Sequence, residues 1–268
     1  MSHTPPASRT GTLRLEIVAD GIDGVRAAVA GGADRIELVN ALGTGGVTPS
    51  LGFMQAVADC GIPVRAMVRP RAGDFTYSPS EIDVMRRDID AVRAAGIAGV
   101  VFGANHPSGT LDADVLETLA GHAAGLEIAI HRSFDLAPDP LDAIDLCVSL
   151  GFATILTSGG PRQATDGTQG LKSYVARARG RIEIMAGSGV TAANAQAIVT
   201  GSDVAWVHAS CGMPLPPADQ PPADRIAALG GATVSRNDTD LDAVRRLRDV
   251  LDQLAARAEA PRLGMNLT

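Results

Sequence analysis

A chain of 268 residues, 46% hydrophobic and 20% charged, has enough material for one globular domain of barrel size and does not require two. A formal net charge of -7 at pH 7 with 3% aromatic residues argues against a nucleic-acid partner, which needs a clustered basic surface and stacking rings. The single lysine, Lys172, and three widely spaced cysteines, Cys60, Cys147 and Cys211, supply neither a strand-borne Schiff-base lysine, nor a disulfide framework, nor a CxxC metal clip.

Residues 1–11 carry prolines and small polar residues without the apolar run of a signal peptide, and are expected to form a disordered tail. No run reaches the roughly 18 apolar residues of a membrane span, so no membrane partner is expected, and the cysteine usage suits a reducing cytoplasm. The domain is expected over residues 12–259, with 260–268 a loose C-terminal tail. Strand-like apolar runs recur at Leu13–Val18, Arg35–Asn40, Val64–Arg69, Gly99–Gly103, Glu127–Arg132, Ala153–Ser158, Ile182–Ala186 and Val204–His208. Helical segments separate them. Ser78-Pro79-Ser80-Glu81 reads as a capping box with proline at the first helical position. Thr48-Pro49 and Asp139-Pro140 repeat the cap-then-proline pattern, Asp20 and Thr191 are further expected caps, and a last helix runs from about Asp240 to Ala258. Each interval is too long for a hairpin and long enough for a crossover helix, which makes the sheet parallel. Strand one ends in Val18-Ala19-Asp20, without the glycine fingerprint of an open dinucleotide-binding sheet. The expected fold is therefore a single-domain (β/α)8 TIM barrel.

Alternation along the strands assigns faces. Arg14 and Glu16, Arg35 and Glu37, Arg65, Met67 and Arg69, and Glu127, Ala129 and His131 fall opposite their apolar neighbours, and so point into the barrel. Charges there must pair. Arg14, Arg35, Arg65, Glu127 and Glu183 come early in their strands and read as a structural network near the bottom. Glu16, Glu37, Arg69, His131 and His208 come late, at the end where barrel enzymes place their chemistry. They are the candidate catalytic groups, although paired core residues would show the same pattern.

The loops add anion-binding candidates. Ser158-Gly159-Gly160 follows strand six, Gly187-Ser188-Gly189-Val190-Thr191 follows strand seven, and Ser210 follows His208. Glycine-loop amides at a helix start attract anions, and barrels often hold phosphate after strands seven and eight, though glycine also serves ordinary turns. In the loop Arg69–Ser78, Arg69 and Arg71 could grip a carboxylate or phosphate, with Asp74 holding one of them.

Leu15-Glu16-Ile17, Gly31–Leu38, Gly45–Ser50, Met67–Arg71, Gly73-Asp74-Phe75, His131–Asp135, Leu156–Gly159, Met185–Val190 and the His208 strand end run in order along the chain. In that order they resemble the CutC copper-homeostasis family. The resemblance implies a cytoplasmic TIM barrel, a homodimer or larger homo-oligomer, and copper handling. Family cysteines commonly stand where this chain has Val18, Val39 and Thr76. What remains for copper(I), which prefers thiolate and thioether donors, is Cys211 with His208 and Met185. Cys60 and Cys147 read as packing residues.

Two functions stay open. One is metal handling, as the family name carries. The other is acid/base catalysis on a small anionic or phosphorylated metabolite, with Glu16 or Glu37 as base, His131 or His208 as acid and Arg69 as the charge clamp. A Glu and a His at strand ends could also hold a divalent ion such as Zn or Mn.

Overall fold

The computed structural model describes residues 13–214 and 237–263. The tail expected at residues 1–11 lies outside them, as does the chain after Leu263. Eight parallel strands close a barrel in the order β1 to β8: Arg14–Ala19, Arg35–Leu38, Val64–Met67, Gly99–Phe102, Glu127–Ile130, Thr154–Thr157, Glu183–Ala186 and Trp206–Ala209. Each falls within a residue or two of the expected run. Among the described residues the helices are α1 (Ile22–Ala30), α2 (Leu51–Val57), α3 (Pro79–Ala94), α4 (Ala113–His122), α5 (Pro140–Ser149), α6 (Thr168–Ala178), α7 (Ala195–Ser202) and α8 (Leu241–Leu263). The last runs beyond the Ala258 expected from sequence. A short antiparallel pair, β9 (Gly212–Pro214) with β10 (Asn237–Thr239), follows β8. No helix among these residues is long and apolar enough to cross a membrane.

Local chemistry sets the helix starts. Ser78 accepts from the Glu81 amide while Glu81 accepts from that of Ser78, and Asp139 caps α5 ahead of Pro140. The other expected caps differ, in Thr48 and Asp20 because their side chains are used elsewhere. α2 is capped by Ser50, since the Thr48 hydroxyl donates to Asp88 at 2.8 Å and accepts from the Arg69 amide at 3.0 Å. α1 starts after Gly21, Asp20 accepting from the Leu42 amide instead. α7 starts after Asn194, whose Oδ1 accepts from the Thr191 amide at 2.8 Å.

The outward faces of the strands, with Leu15, Ile17, Ile36, Leu38, Val100, Ile130, Ile155 and Val207, join the helices in one apolar core. Removing such branched side chains from water is the main stabilising contribution. The charged faces point inward, interrupted by two apolar groups: Val18, Val39 and Met67, and Leu156, Met185 and Trp206.

Candidate functional site

Register decides which inward groups meet. Glu16 lies beside Arg35 on β2 and beside His208 on β8, and Glu37 lies beside Arg65 on β3. In a barrel of tilted, staggered strands, equal position along a strand is not equal height. The expected network of Arg35, Arg65, Glu127 and Glu183 is present, but Glu16 of the expected upper set is bonded into it, so the two are not separate. Arg35 bonds Glu16 through Nε, and its Nη1 lies 3.5 Å from Glu127 and 3.6 Å from Glu183. Arg65 pairs with Glu127 and comes within 3.8 Å of Glu16. Thr154 links Arg65 to Glu183, accepting at 2.9 Å and donating at 2.7 Å. Arg14 sits over the Trp206 ring at 5.4 Å and Arg35 at 3.8 Å, so both guanidiniums make cation–π contacts with it.

Glu16, Glu37 and His208 form a buried cluster whose ligand-type atoms all lie within 4.8 Å of one another. His208 Nδ1 stands 3.0 Å from Glu16 Oε1, and Nε2 stands 3.5 Å from Glu37 Oε2. Burial would raise the Glu16 carboxyl, but the Arg35 guanidinium, the His208 bond and Arg65 outweigh it and hold Glu16 well below the usual carboxylate range. For Glu37 burial wins, reinforced by the nearby Glu16 charge, and its pKa rises to about 7. Burial opposes the His208 cation, yet the bond to Glu16 and the charges of both glutamates raise its pKa. One oxygen of Glu37, Oε1, has no partner among the described residues.

Above β7 and β8 opens a cleft of about 690 Å3, lined among others by His208, Ser210, Cys211, Ser188, Gly189, Arg132 and Arg246. The loop holds itself through Ser188 Oγ, which donates to Arg162 O at 2.8 Å, and Gly189 O, which accepts from Asn194 at 2.7 Å. Among the described residues no bond is formed by the amides of Ser188, Gly189 or Val190. Ser188 is held at a φ of 80°, a conformation that costs a non-glycine residue about 1–3 kcal/mol. Gly187 packs closely below, where an added Cβ would lie 2.5 Å from Leu156 Cδ1.

The remaining candidates lie elsewhere. Arg69 donates to Gly46 O at 2.9 Å and Gly73 O at 2.7 Å and lies 4.8 Å from the Phe75 ring, while His131 stacks on that same ring. These two form a second buried group, and no hydrogen bond or ion pair among the described residues joins them to the Glu16–Glu37–His208 cluster. Arg71 is spent on its own loop, bonded to Glu81, Asp74 and Thr76 O. The Ser158 hydroxyl sits between Arg132, Asp135 and Pro161 O. Met185 is buried, its sulfur accepting from Arg35 at 3.7 Å. Sequence reading passed over Arg132 and Arg246 as cleft residues. Arg132 follows His131 directly, which was a signal; Arg246 sits on the polar face of α8, where nothing marks it.

The CutC family model matches residues 13–213. A family protein CutC from Sinorhizobium medicae is 50% identical over 244 residues, 91% of this chain and 98% of that one. Another from Caulobacter vibrioides is 45% identical over 86% of this chain and 93% of its own length. A crystal structure of a CutC protein from Streptococcus agalactiae, whose name gives copper homeostasis as an unproven role, is similar at a TM-score of 0.71 and 32% identity, over 74% of this chain and 98% of that one.

Proposed function

The chain belongs to the CutC family, and from that premise we propose that it is an enzyme moving a proton on a small anionic, phosphate-bearing ligand held in the cleft above β7 and β8. One observation carries the reading: His208 lines the cleft and also belongs to the buried cluster with Glu16 and Glu37. Ionised Glu16 can only accept, so Nδ1 of His208 donates to it, and Nε2 is the nitrogen left for proton exchange. Glu37, close enough to Nε2 and protonating near neutrality, refills or drains that position. Arg132, Arg246 and the unbonded loop amides supply the positive field for the anion.

Copper homeostasis, in the name of the Streptococcus agalactiae protein, is the second reading that the family brings. The donors here do not fit it. The Cys211 thiol is pushed up to about 11, by burial first and then by Asp240, so it is a poor source of thiolate at neutral pH. Both His208 nitrogens face carboxylates, and the Met185 sulfur faces a guanidinium. The set Glu16, Glu37 and His208 has the hardness for a divalent ion such as Zn or Mn. Arg35 and Arg65 already neutralise Glu16, which opposes a further cation. A homodimer or larger assembly and a cytoplasmic location are carried over from the resemblance; light scattering on the purified protein tests the former.

The reading is tested by incubating the full-length protein with a panel of sugar phosphates in D2O and following deuterium entry beside their carbonyl groups by NMR. Exchange in the wild type that is lost in His208→Asn and Glu37→Gln supports it. No exchange in any protein, together with no competition by inorganic phosphate for the cleft, overturns it.

A further inference from the structure

Across the barrel from His208, the segments after β3, β4 and β5 bury a second polar group that the proton-transfer reading leaves unused. Among the described residues, Arg69 Nε, His131 Nε2, Ser133 Oγ and Asn105 Oδ1 are all buried without a hydrogen-bond partner, and their residues are at most 4% exposed. They are neighbours. Phe75 touches both Arg69 and His131, each at 4.8 Å from its ring centre. Asn105 donates to Ser133 O at 3.2 Å. Gly103 has room for no side chain because the Ser133 hydroxyl and the His131 ring press against it, with His131 Cε1 2.8 Å from where a Cβ would stand.

Leaving a buried polar atom unpaired is costly, so a run of them in one neighbourhood is kept for a partner that meets them together. The chemistry of that partner follows from the atoms. His131 Nδ1 accepts from the Ser133 amide at 3.2 Å, so the neutral ring carries its proton on Nε2. Burial, then the Arg69 charge, push the His131 pKa down to about 3, and the ring is a neutral donor throughout the physiological range. Three of the four Nη hydrogens of Arg69 go to the carbonyls of Thr44, Gly46 and Gly73, and the Tyr77 hydroxyl stands beside the guanidinium, which leaves Nε–H as the nitrogen of Arg69 with no partner among the described residues. Two donors, one of them charged, suit the oxygens of a carboxylate; a phosphate would call for more. Asn105 Oδ1 can only accept, and suits a hydroxyl.

We propose that this nest is a second binding site, separate from the cleft at His208, for the carboxylate of a small hydroxy acid, with Arg69 Nε and His131 Nε2 donating to its oxygens and Asn105 Oδ1 accepting from its hydroxyl. The test is a titration of the full-length protein, labelled with 15N-histidine, with glycolate. The wild type is expected to show a neutral His131 ring protonated on Nε2, whose signal shifts saturably at millimolar glycolate. His131→Phe and Arg69→Gln should weaken glycolate binding by about tenfold or more, equivalent to about 1.4 kcal/mol. Arg246→Ala, in the cleft, should leave it unchanged. Acetate should bind more weakly than glycolate. A ring protonated on Nδ1, no saturable shift, or an equal loss in Arg246→Ala would overturn the proposal, and the wild-type spectra decide it even if Arg69→Gln does not fold. Failure here leaves the deuterium-exchange test at His208 untouched.

Discussion

His208 donates from Nδ1 to Glu16 Oε1 across 3.0 Å, a bond that closes the barrel chemically where β8 meets β1. The donor role follows from Glu16, an ionised carboxylate with no proton to give. The bond fixes the imidazole ring and leaves Nε2 turned to Glu37.

Glu16→Gln keeps the shape of that side chain and removes its charge. Arg35 then loses its bonded carboxylate inside the barrel, and Arg65 a nearby one. Stranding buried cations in this way is expected to lower stability by about 3–5 kcal/mol, measured as the change in urea midpoint at constant slope. A loss below about 1 kcal/mol, the range of an exposed pair, would mean that the guanidiniums find other partners among Glu127 and Glu183.

Glu37 gives the opposite pH signature. Its pKa in the folded protein, about 7, stands above the ordinary 4.5, so the folded state holds this proton more tightly than the unfolded chain. The stability it lends is full below pH 4.5 and is lost as the pH rises toward 7, on the order of 3 kcal/mol in all. Glu37→Gln, a permanent mimic of the protonated form, should therefore gain on the wild type steadily between those values. Denaturation curves for both proteins across that window check it, and a constant difference would refute the raised value.

The interior of this barrel was partly legible because alternation in a strand is strict. Reading Arg14 and Glu16, or Arg35 and Glu37, as inward residues needs only the apolar identity of Leu15, Ile17, Ile36 and Leu38. Strand stagger is not written in any one strand. It sets Arg35 level with Glu16 and carries Arg69 and His131 away to Phe75, so an expected single constellation divides into two. The cap at Thr48 failed for a related reason: its hydroxyl is claimed by Asp88 and the end of β3, a long-range competition that local sequence does not record. Arg246 reaches the cleft from α8, the helix farthest along the chain.

Cys211 should behave as an unreactive thiol despite lining the cleft. With its pKa raised to about 11 by burial and Asp240, it is protonated at neutral pH, and alkylation by iodoacetamide should be far slower than for a free cysteine. Correspondingly, Cys211→Ser should leave any copper(I) binding unchanged. Rapid alkylation, or copper affinity that disappears in the variant, would revive Cys211 as a metal ligand.

Gly103 and Gly121 offer a paired test of how tightly the β4–β5 side is built. A methyl at Gly103 would overlap the Ser133 hydroxyl and press on His131, whereas at Gly121, within α4, it meets nothing within 4 Å. Overpacking should make Gly103→Ala destabilising by about 1–3 kcal/mol, with the His131 ring displaced from Phe75. Helix propensity should make Gly121→Ala stabilising by up to about 1 kcal/mol. Because both substitutions add the same group, their opposite signs in thermal unfolding separate close packing around His131 from any general effect of replacing glycine. If Gly103→Ala proves as harmless as Gly121→Ala, Ser133 and His131 have room to move, and the nest is too loose to hold a ligand in one orientation.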